Sequence, residues 1–404
     1  MQKTNKSSTE LSRLSGLSVE QLFELQQALS LFPLIESASF FGSRGRGTFH
    51  QGSDVDVALV GEHLELSDVA LVREWLNENT RLPFQFDVVL QNESLTDRFN
   101  NRIQGDLLPF YQWQPGIRHH GALHGVTGSC HELFYRRSQR QARSMLVDCG
   151  LFQGDDHSSY GAISANANKL FIDFDLSAVH ALCLTHAHID HIGRLPYLVM
   201  AGFDQPIYCT QATARLTPLM LEDAIKLGVT RDKRLVGRLL ARISELLRPV
   251  DYDQWQVVDE NLKIRFRQAG HILGSAFVEV DMQRPALTLP SGRVSHRHRV
   301  IFSGDLGAPY APLLPSPKSP YRCDTLVLES TYGDRLHEGR RLRARQLRQI
   351  VERAMSNRGA VLIPAFSLGR TQELLYEFEQ IIRKRPRIDI YFSSLICGTL
   401  SPDV

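Results

Sequence analysis

Two hydrophobic periods share this chain. Residues 17–31 carry apolar side chains at helical spacing, with Ser18 placed to cap the first turn and Glu20 and Glu24 close behind. Ala38-Ser39-Phe40-Phe41 is a short apolar run that ends in Gly42-Ser43, and residues 52–60 and 86–90 read as two further strands. Strands are then expected at 125–133, 144–150, 181–184, 264–268 and 300–302, and helices at 216–228 and 236–247. Thr217 and Pro218 suit the N-cap and first helical position of the earlier of these helices. The mixture of the two periods predicts an α/β (α+β) chain.

At 404 residues the chain is too long for one ordinary domain, and its 43% apolar content is ample for more than one core. The net charge of +2 says nothing about nucleic acid, so any basic surface must be local. Six cysteines lie scattered without a CxxC pair, which argues against a disulfide framework or a thiolate metal site and for a reducing compartment. The opening MQKTNKSSTELS lacks the apolar core of a signal peptide, and no apolar run approaches the ~18 residues that span a bilayer. A cytoplasmic protein is the expectation.

Candidate chemistry concentrates at 179–198, VHALCLTHAHIDHIGRLPYL. An apolar strand delivers His186, His188, Asp190 and His191 into the loop at its end, the usual way a scaffold positions a site. His186 and His188 lie two apart on extended backbone and can share one ion, while Asp190 and His191 can reach a second. Imidazole with carboxylate and no thiolate suits catalytic zinc. His271, after the strand at 264–268, and Asp305, after the strand at 300–302, have the same setting. Earlier in the chain, Asp54 and Asp56 alternate on one strand and face one side, where together they could hold Mg²⁺, with Asp87 on another strand. The Gly42-Ser43 turn can bring backbone N–H groups up to a triphosphate.

The Gly-Ser turn, the Asp-x-Asp pair and the later acid resemble the minimal nucleotidyltransferase family. That resemblance implies Mg-ATP held by Gly42, Ser43, Asp54, Asp56 and Asp87, and nucleotidyl transfer to an RNA, a protein acceptor or a toxin-like partner. The segments after residue 117 resemble the metallo-β-lactamase fold, an αββα sandwich with its metal site at one edge. The implied ligands are His186, His188, His271 and Asp305 for one zinc, and Asp190, His191 and the bridging Asp305 for the other, with Asp148 orienting the ligand loop. The implied reaction is hydrolysis by a metal-activated hydroxide. Val126-Thr127-Gly128-Ser129-Cys130-His131, Gly193-Arg194-Leu195-Pro196, Glu329-Ser330-Thr331-Tyr332-Gly333-Asp334 and Pro364-Ala365-Phe366-Ser367-Leu368-Gly369-Arg370 narrow this to the β-CASP branch, the RNA-processing group that includes ribonuclease J and the cleavage-and-polyadenylation endonuclease subunit. Glu329 matches the acid that opens the β-CASP cap, so Asp148, Asp190 and Glu329 are the implied catalytic set.

The expected organisation is a polar tail (1–14), a nucleotidyltransferase-like domain (15–111), a linker (112–116), a metallo-β-lactamase domain (117–320) and an incomplete β-CASP cap (321–404). The pattern is lost after Ser394, and the family's returning histidines are missing, so a truncated or frame-shifted product that cuts RNA poorly is expected. The leading reading is a zinc-dependent RNA nuclease. The runner-up makes the N-terminal domain the working part, and a third has the nuclease half bind RNA or a partner without cutting. Arg340, Arg341, Arg343, Arg345, Arg348 and Arg353 could hold RNA phosphates or line a solvated helix face, and Arg231, Lys233, Arg234, Arg238 and Arg242 carry the same choice.

Overall fold

The computed structural model of the chain describes residues 7–32, 34–61, 64–91, 105–113, 115–123, 125–135, 143–153, 170–228, 230–288, 294–309, 311–335 and 342–383. Helices α1 (Ser8–Ser15) and α2 (Val19–Ser30) open it. Ser18 caps α2 in a capping box with Gln21, which satisfies two of the orphan N–H groups of the first turn. Strand β1 (Ser37–Phe40), α3 (Gly42–Arg46), β2 (Val55–Val60), α4 (Leu66–Asn79), β3 (Phe86–Leu90) and β4 (Leu108–Gln112) complete the first unit. Its sheet has the order β3-β2-β1-β4, with β2 and β3 parallel, and its core draws only on residues 11 to 111.

The second unit is a sandwich. Its first sheet holds β5 (Gly116–His119), β6 (His131–Tyr135), β7 (Arg143–Val147), β8 (Val179–Cys183), β9 (Ile207–Thr210) and β10 (Leu247–Val250), in the order β10-β9-β8-β7-β6-β5. Between these strands run α5 (Ile189–Ile192), α6 (Leu195–Met200), α7 (Gln211–Gly228) and α8 (Lys233–Leu246). The second sheet runs in order through β11 (Trp255–Val257), β12 (Leu262–Gln268), β13 (Ala276–Thr288), β14 (Val294–Phe302) and β15 (Thr325–Val327), and α9 (Arg343–Ser356) and α10 (Arg370–Ile382) follow. One core fills the space between the sheets, from Met145, Ala181 and Cys183 on one side to Phe266, Val278 and Phe302 on the other. A second core lies on the opposite face of the first sheet, where Leu195, Leu198, Leu221, Val236 and Ile243 cover Leu146, Leu182 and Ile207. Because Ala181 to Cys183 of β8 and the following Leu184 are buried on both faces, they read as a continuous apolar run rather than an alternating one.

Several expectations are corrected. Helix α7 begins at Gln211, and Pro218 lies inside it instead of opening it. Thr217 does not cap; its hydroxyl donates to the Thr213 carbonyl one turn back, at 2.7 Å. Gly42-Ser43 starts the short helix α3 rather than a turn. Asp54 precedes β2, so it does not alternate with Asp56 on one strand, and residues 125–130 lie outside β6. The connection placed at 112–116 narrows to 113–115, because β4 ends at Gln112 and β5 starts at Gly116. Arg340, Arg341 and the last segment, 384–404, lie outside the described residues. Among the described residues, no helix is long and apolar enough to cross a membrane.

Candidate metal centre

The ends of three strands converge on one edge of the sandwich. His186 and His188 follow β8, His271 follows β12 and Asp305 follows β14, and one donor atom from each lies within 4.8 Å of the others. A second set, Asp190, His191 and Asp305, meets the same criterion and shares Asp305 with the first. The Asp305 carboxylate stands 3.2 Å from His191 Nε2, 3.4 Å from His271 Nε2 and 3.8 Å from His186 Nε2. All six residues singled out as ligands are therefore gathered at one place. Asp148 and Glu329 lie behind the donors and are not part of either set.

Local bonds fix each loop. Helix α5 lies between its N-cap His188 and its C-cap Gly193, and its backbone is tied to the neighbouring loop: Cys149 N–H donates to the His191 carbonyl at 2.8 Å and Ser129 N–H to the Asp190 carbonyl at 2.9 Å. Gly150 permits this approach, because a Cβ there would stand 1.6 Å from the Asp190 carbonyl oxygen. Ser275 Oγ accepts from the His271 and Ile272 amides at 2.9 and 3.2 Å, closing the loop that carries His271. Glu329 accepts from the Leu306 amide at 3.0 Å, and Ser303 Oγ accepts from the Glu329 amide at 2.9 Å, so Glu329 steadies the Asp305 loop.

Asp148 is the hub under the donors. Its backbone is left-handed, with φ at 61°, an uncommon conformation for a residue other than glycine. Its carboxylate accepts from the Thr185 amide at 2.8 Å, the Thr185 hydroxyl at 2.9 Å and Ser129 Oγ at 3.1 Å, and stands 2.7 Å from His191 Nδ1. Thr185 Oγ1 also lies 3.1 Å from His186 Nδ1, and the Leu368 carbonyl lies 3.4 Å from His188 Nε2. Such contacts on the far ring nitrogen set which nitrogen is left to bind a cation. In the sequence Ser129 and Thr185 stand only as neighbours in the quoted stretches, and nothing in the spacing of these residues or of Ser275 reveals what their hydroxyls hold.

Electrostatics divide the donors into two kinds. Burial, then His191, His188 and His271, holds His186 well below the usual imidazole range, and burial followed by the neighbouring imidazole lowers His188 as well. Burial also lowers His271, against the pull of Asp305. These three rings are neutral near pH 7 and offer lone pairs. Burial works against ionisation of Asp305, but the His191 hydrogen bond and the surrounding imidazoles bring its pKa down to about 2. His191 differs: burial opposes its charge, yet Asp148 and Asp305 on either side raise it well above the usual range.

A divalent ion fits these residues on geometry alone. His188 Nδ1 lies 3.1 Å from His186 Nε2 and also 3.1 Å from His271 Nε2. One ring nitrogen can donate to only one of these, so without a shared cation two lone pairs face each other in a buried place.

In the first unit, β2 and β3 pair in register with Asp56 opposite Asp87. Burial, then Asp87 and Asp54, raises the Asp56 carboxyl above its ordinary range, against the opposing pull of Arg46 and Arg44. Gly42 has φ at 61°, and a Cβ there would stand 2.2 Å from Asp56 Oδ2. Arg44, which sequence reading passed over, is fully buried and donates to the carbonyls of Ser15, Ser53 and Asp54 at 2.8, 2.8 and 3.2 Å. It thereby fixes the loop that presents Asp54.

Comparisons with known proteins divide the chain at the same place. Residues 24–108 match the family described as Polymerase beta, Nucleotidyltransferase, and residues 139–278 match the Metallo-beta-lactamase superfamily. Ribonuclease TTHA0252 of Thermus thermophilus is 37% identical over 279 residues, covering 69% of this chain and 58% of the relative. Cleavage and polyadenylation specificity factor subunit 3-II of Arabidopsis thaliana is 32% identical over 259 residues, covering 62% of this chain and 40% of the relative. Integrator complex subunit 11 of Danio rerio is 30% identical over 262 residues, covering 62% and 41%. The chain thus spans between two fifths and three fifths of the length of these relatives.

Proposed function

We propose, from the metallo-beta-lactamase domain that this chain carries behind a polymerase-beta-type nucleotidyltransferase domain, that it hydrolyses RNA phosphodiesters with zinc at the sandwich edge. The observation that carries this is the pair of donor sets joined at Asp305. His186, His188, His271 and Asp305 would hold one ion, and Asp190, His191 and Asp305 the other. Divalent ions there would supply Lewis acidity toward a phosphodiester and a nucleophile at neutral pH. The chain's own contribution is orientation. Asp148 and Thr185 aim His186 and His191, Glu329 steadies Asp305, and the ionised Asp305 brings negative charge to both sets. Two of the relatives support RNA by name: one is a ribonuclease, and one is a subunit of a cleavage and polyadenylation specificity factor. The five described cysteines are all free thiols, which supports the cytoplasm as its compartment.

Elemental analysis and cleavage of a labelled single-stranded RNA, measured on one preparation, test the reading. The protein should contain zinc and cut, and His186→Ala should lose both. Zinc-free protein, or cutting that survives His186→Ala, would overturn it.

A second activity, Mg²⁺-dependent transfer of AMP from ATP, is supported by the Asp56–Asp87 register and the Gly42 approach. Label from α-phosphate-labelled ATP should reach a protein or RNA acceptor and disappear in Asp56→Ala. Undiminished labelling in that variant would sink it.

A further inference from the structure

Helix α8 shows two unlike faces. Val236, Leu239, Ile243 and Leu246 are buried, and Val236, Leu239 and Ile243 join the core that also holds Leu195 and Leu198 of α6. The opposite face exposes Lys233, Arg234, Gly237, Arg238 and Ala241, which line an open depression of about 630 Å³. Arg231 is exposed just ahead of it. Among the described residues, Arg231, Lys233, Arg234 and Arg238 form no ion pair, whereas Arg242 is held by Glu245 at 3.2 Å and Arg343 of α9 lies 3.7 Å from Glu377.

Gly237 is the second, independent observation. It lies in the interior of a helix, where glycine is less stable than alanine because it loses more backbone freedom on folding. Packing within the chain does not require it, since a Cβ there would meet nothing within 4 Å. A position that tolerates a side chain, yet lacks one between unpaired cations, suits close approach of an outside backbone to the helix.

We infer that this face of α8 is a docking surface for the sugar–phosphate backbone of single-stranded RNA, which crosses the helix at Gly237 and Ala241 while Lys233, Arg234 and Arg238 contact its phosphates. This rests on the reading of RNA as the substrate. Arg234 and Arg238 are one turn apart, about 6 Å between their Cβ atoms, so the two can meet different phosphates of one strand. A membrane surface fits less well, because the exposed face offers no large apolar side chain to insert among acyl chains. The helix packs on α6, which follows the donor-bearing α5 in the chain, so the surface belongs to the same unit as the candidate metal centre.

The test is binding of a fluorescent single-stranded RNA by the full chain across a salt series, with His186→Ala as the common background so that cutting does not intrude. Lys233→Gln, Arg234→Gln and Arg238→Gln together should weaken binding at least tenfold at low salt. They should also make the dependence of log K on log salt shallower by about 2, near 0.7 for each lost phosphate contact. Gly237→Ala should raise the melting temperature while weakening RNA binding, a pairing that a purely structural glycine would not give. Unchanged affinity and salt slope in the triple variant would overturn the inference, as would retention on phosphatidylserine vesicles without retention of RNA. If the otherwise unaltered zinc-loaded chain leaves RNA intact but the triple variant still loses binding, the surface stands and the nuclease reading falls.

Discussion

Asp148 shows what one residue can contribute without touching an ion. Its left-handed backbone aims a single carboxylate at the Thr185 amide and hydroxyl, Ser129 and His191. Asn is a fair probe because it tolerates the same backbone conformation but removes the charge. Asp148→Asn should therefore lower metal affinity by about 10–100-fold, the usual range for a partner behind a ligand, while the fold survives. Competition with a zinc chelator measures this, and unchanged affinity would show that Asp148 is dispensable. The donors themselves were legible in sequence because each follows an apolar strand. The backbone twist at Asp148 and the buried Arg44 were not, since neither a positive φ nor three carbonyl partners leaves a periodic trace.

At the scale of elements, β14 brings His298 into contact with Trp113, rings 5.4 Å apart, and places its Nε2 2.9 Å from Thr325 Oγ1. Trp113 lies in the connection between the two units, so this histidine sits at their joint. Burial lowers its pKa to about 4, against an ordinary value of 6.5. With the folded value below the unfolded one, the stability is fully present above pH 6.5 and is lost as pH falls toward 4. Between pH 7 and 5 the loss from this one group is about 2 kcal/mol. Urea unfolding at the two pH values should show a smaller difference in His298→Gln than in the parent, and equal differences would exclude His298 as the source. Helix α7 marks a limit of reading elements from sequence. Thr217-Pro218 carries the local signature of a start, but tertiary packing of Leu216, Met220 and Leu221 continues the helix back to Gln211.

The whole molecule has a core confined to residues 11–111 and two others on either face of the six-stranded sheet. The expected division rests on chain length and on the two family resemblances, not on hydrophobic periodicity. Periodicity could not show the register that sets Asp56 against Asp87, because pairing partners lie far apart in the chain. All the donors belong to the sandwich, so zinc should stabilise that unit alone. At a hundred times its dissociation constant the gain is about 2.7 kcal/mol. Calorimetry with zinc and then with a chelator should move one transition and leave the other in place. A single transition that shifts as a whole would mean that the Trp113 joint couples the two units.

The strand order of the sandwich also bears on how the protein is made. Both of its sheets are laid out in chain order, β5 to β10 and β11 to β15, so each new strand can dock on its predecessor as the nascent chain leaves the ribosome. The first unit differs, because its central β1 must wait for β4. His186 to His191 emerge early, His271 later and Asp305 last. At roughly 5–20 residues per second, several seconds of synthesis separate the first donors from Asp305. Metal capture at these donors would therefore be a late event in biosynthesis, possible only after β14 has been made.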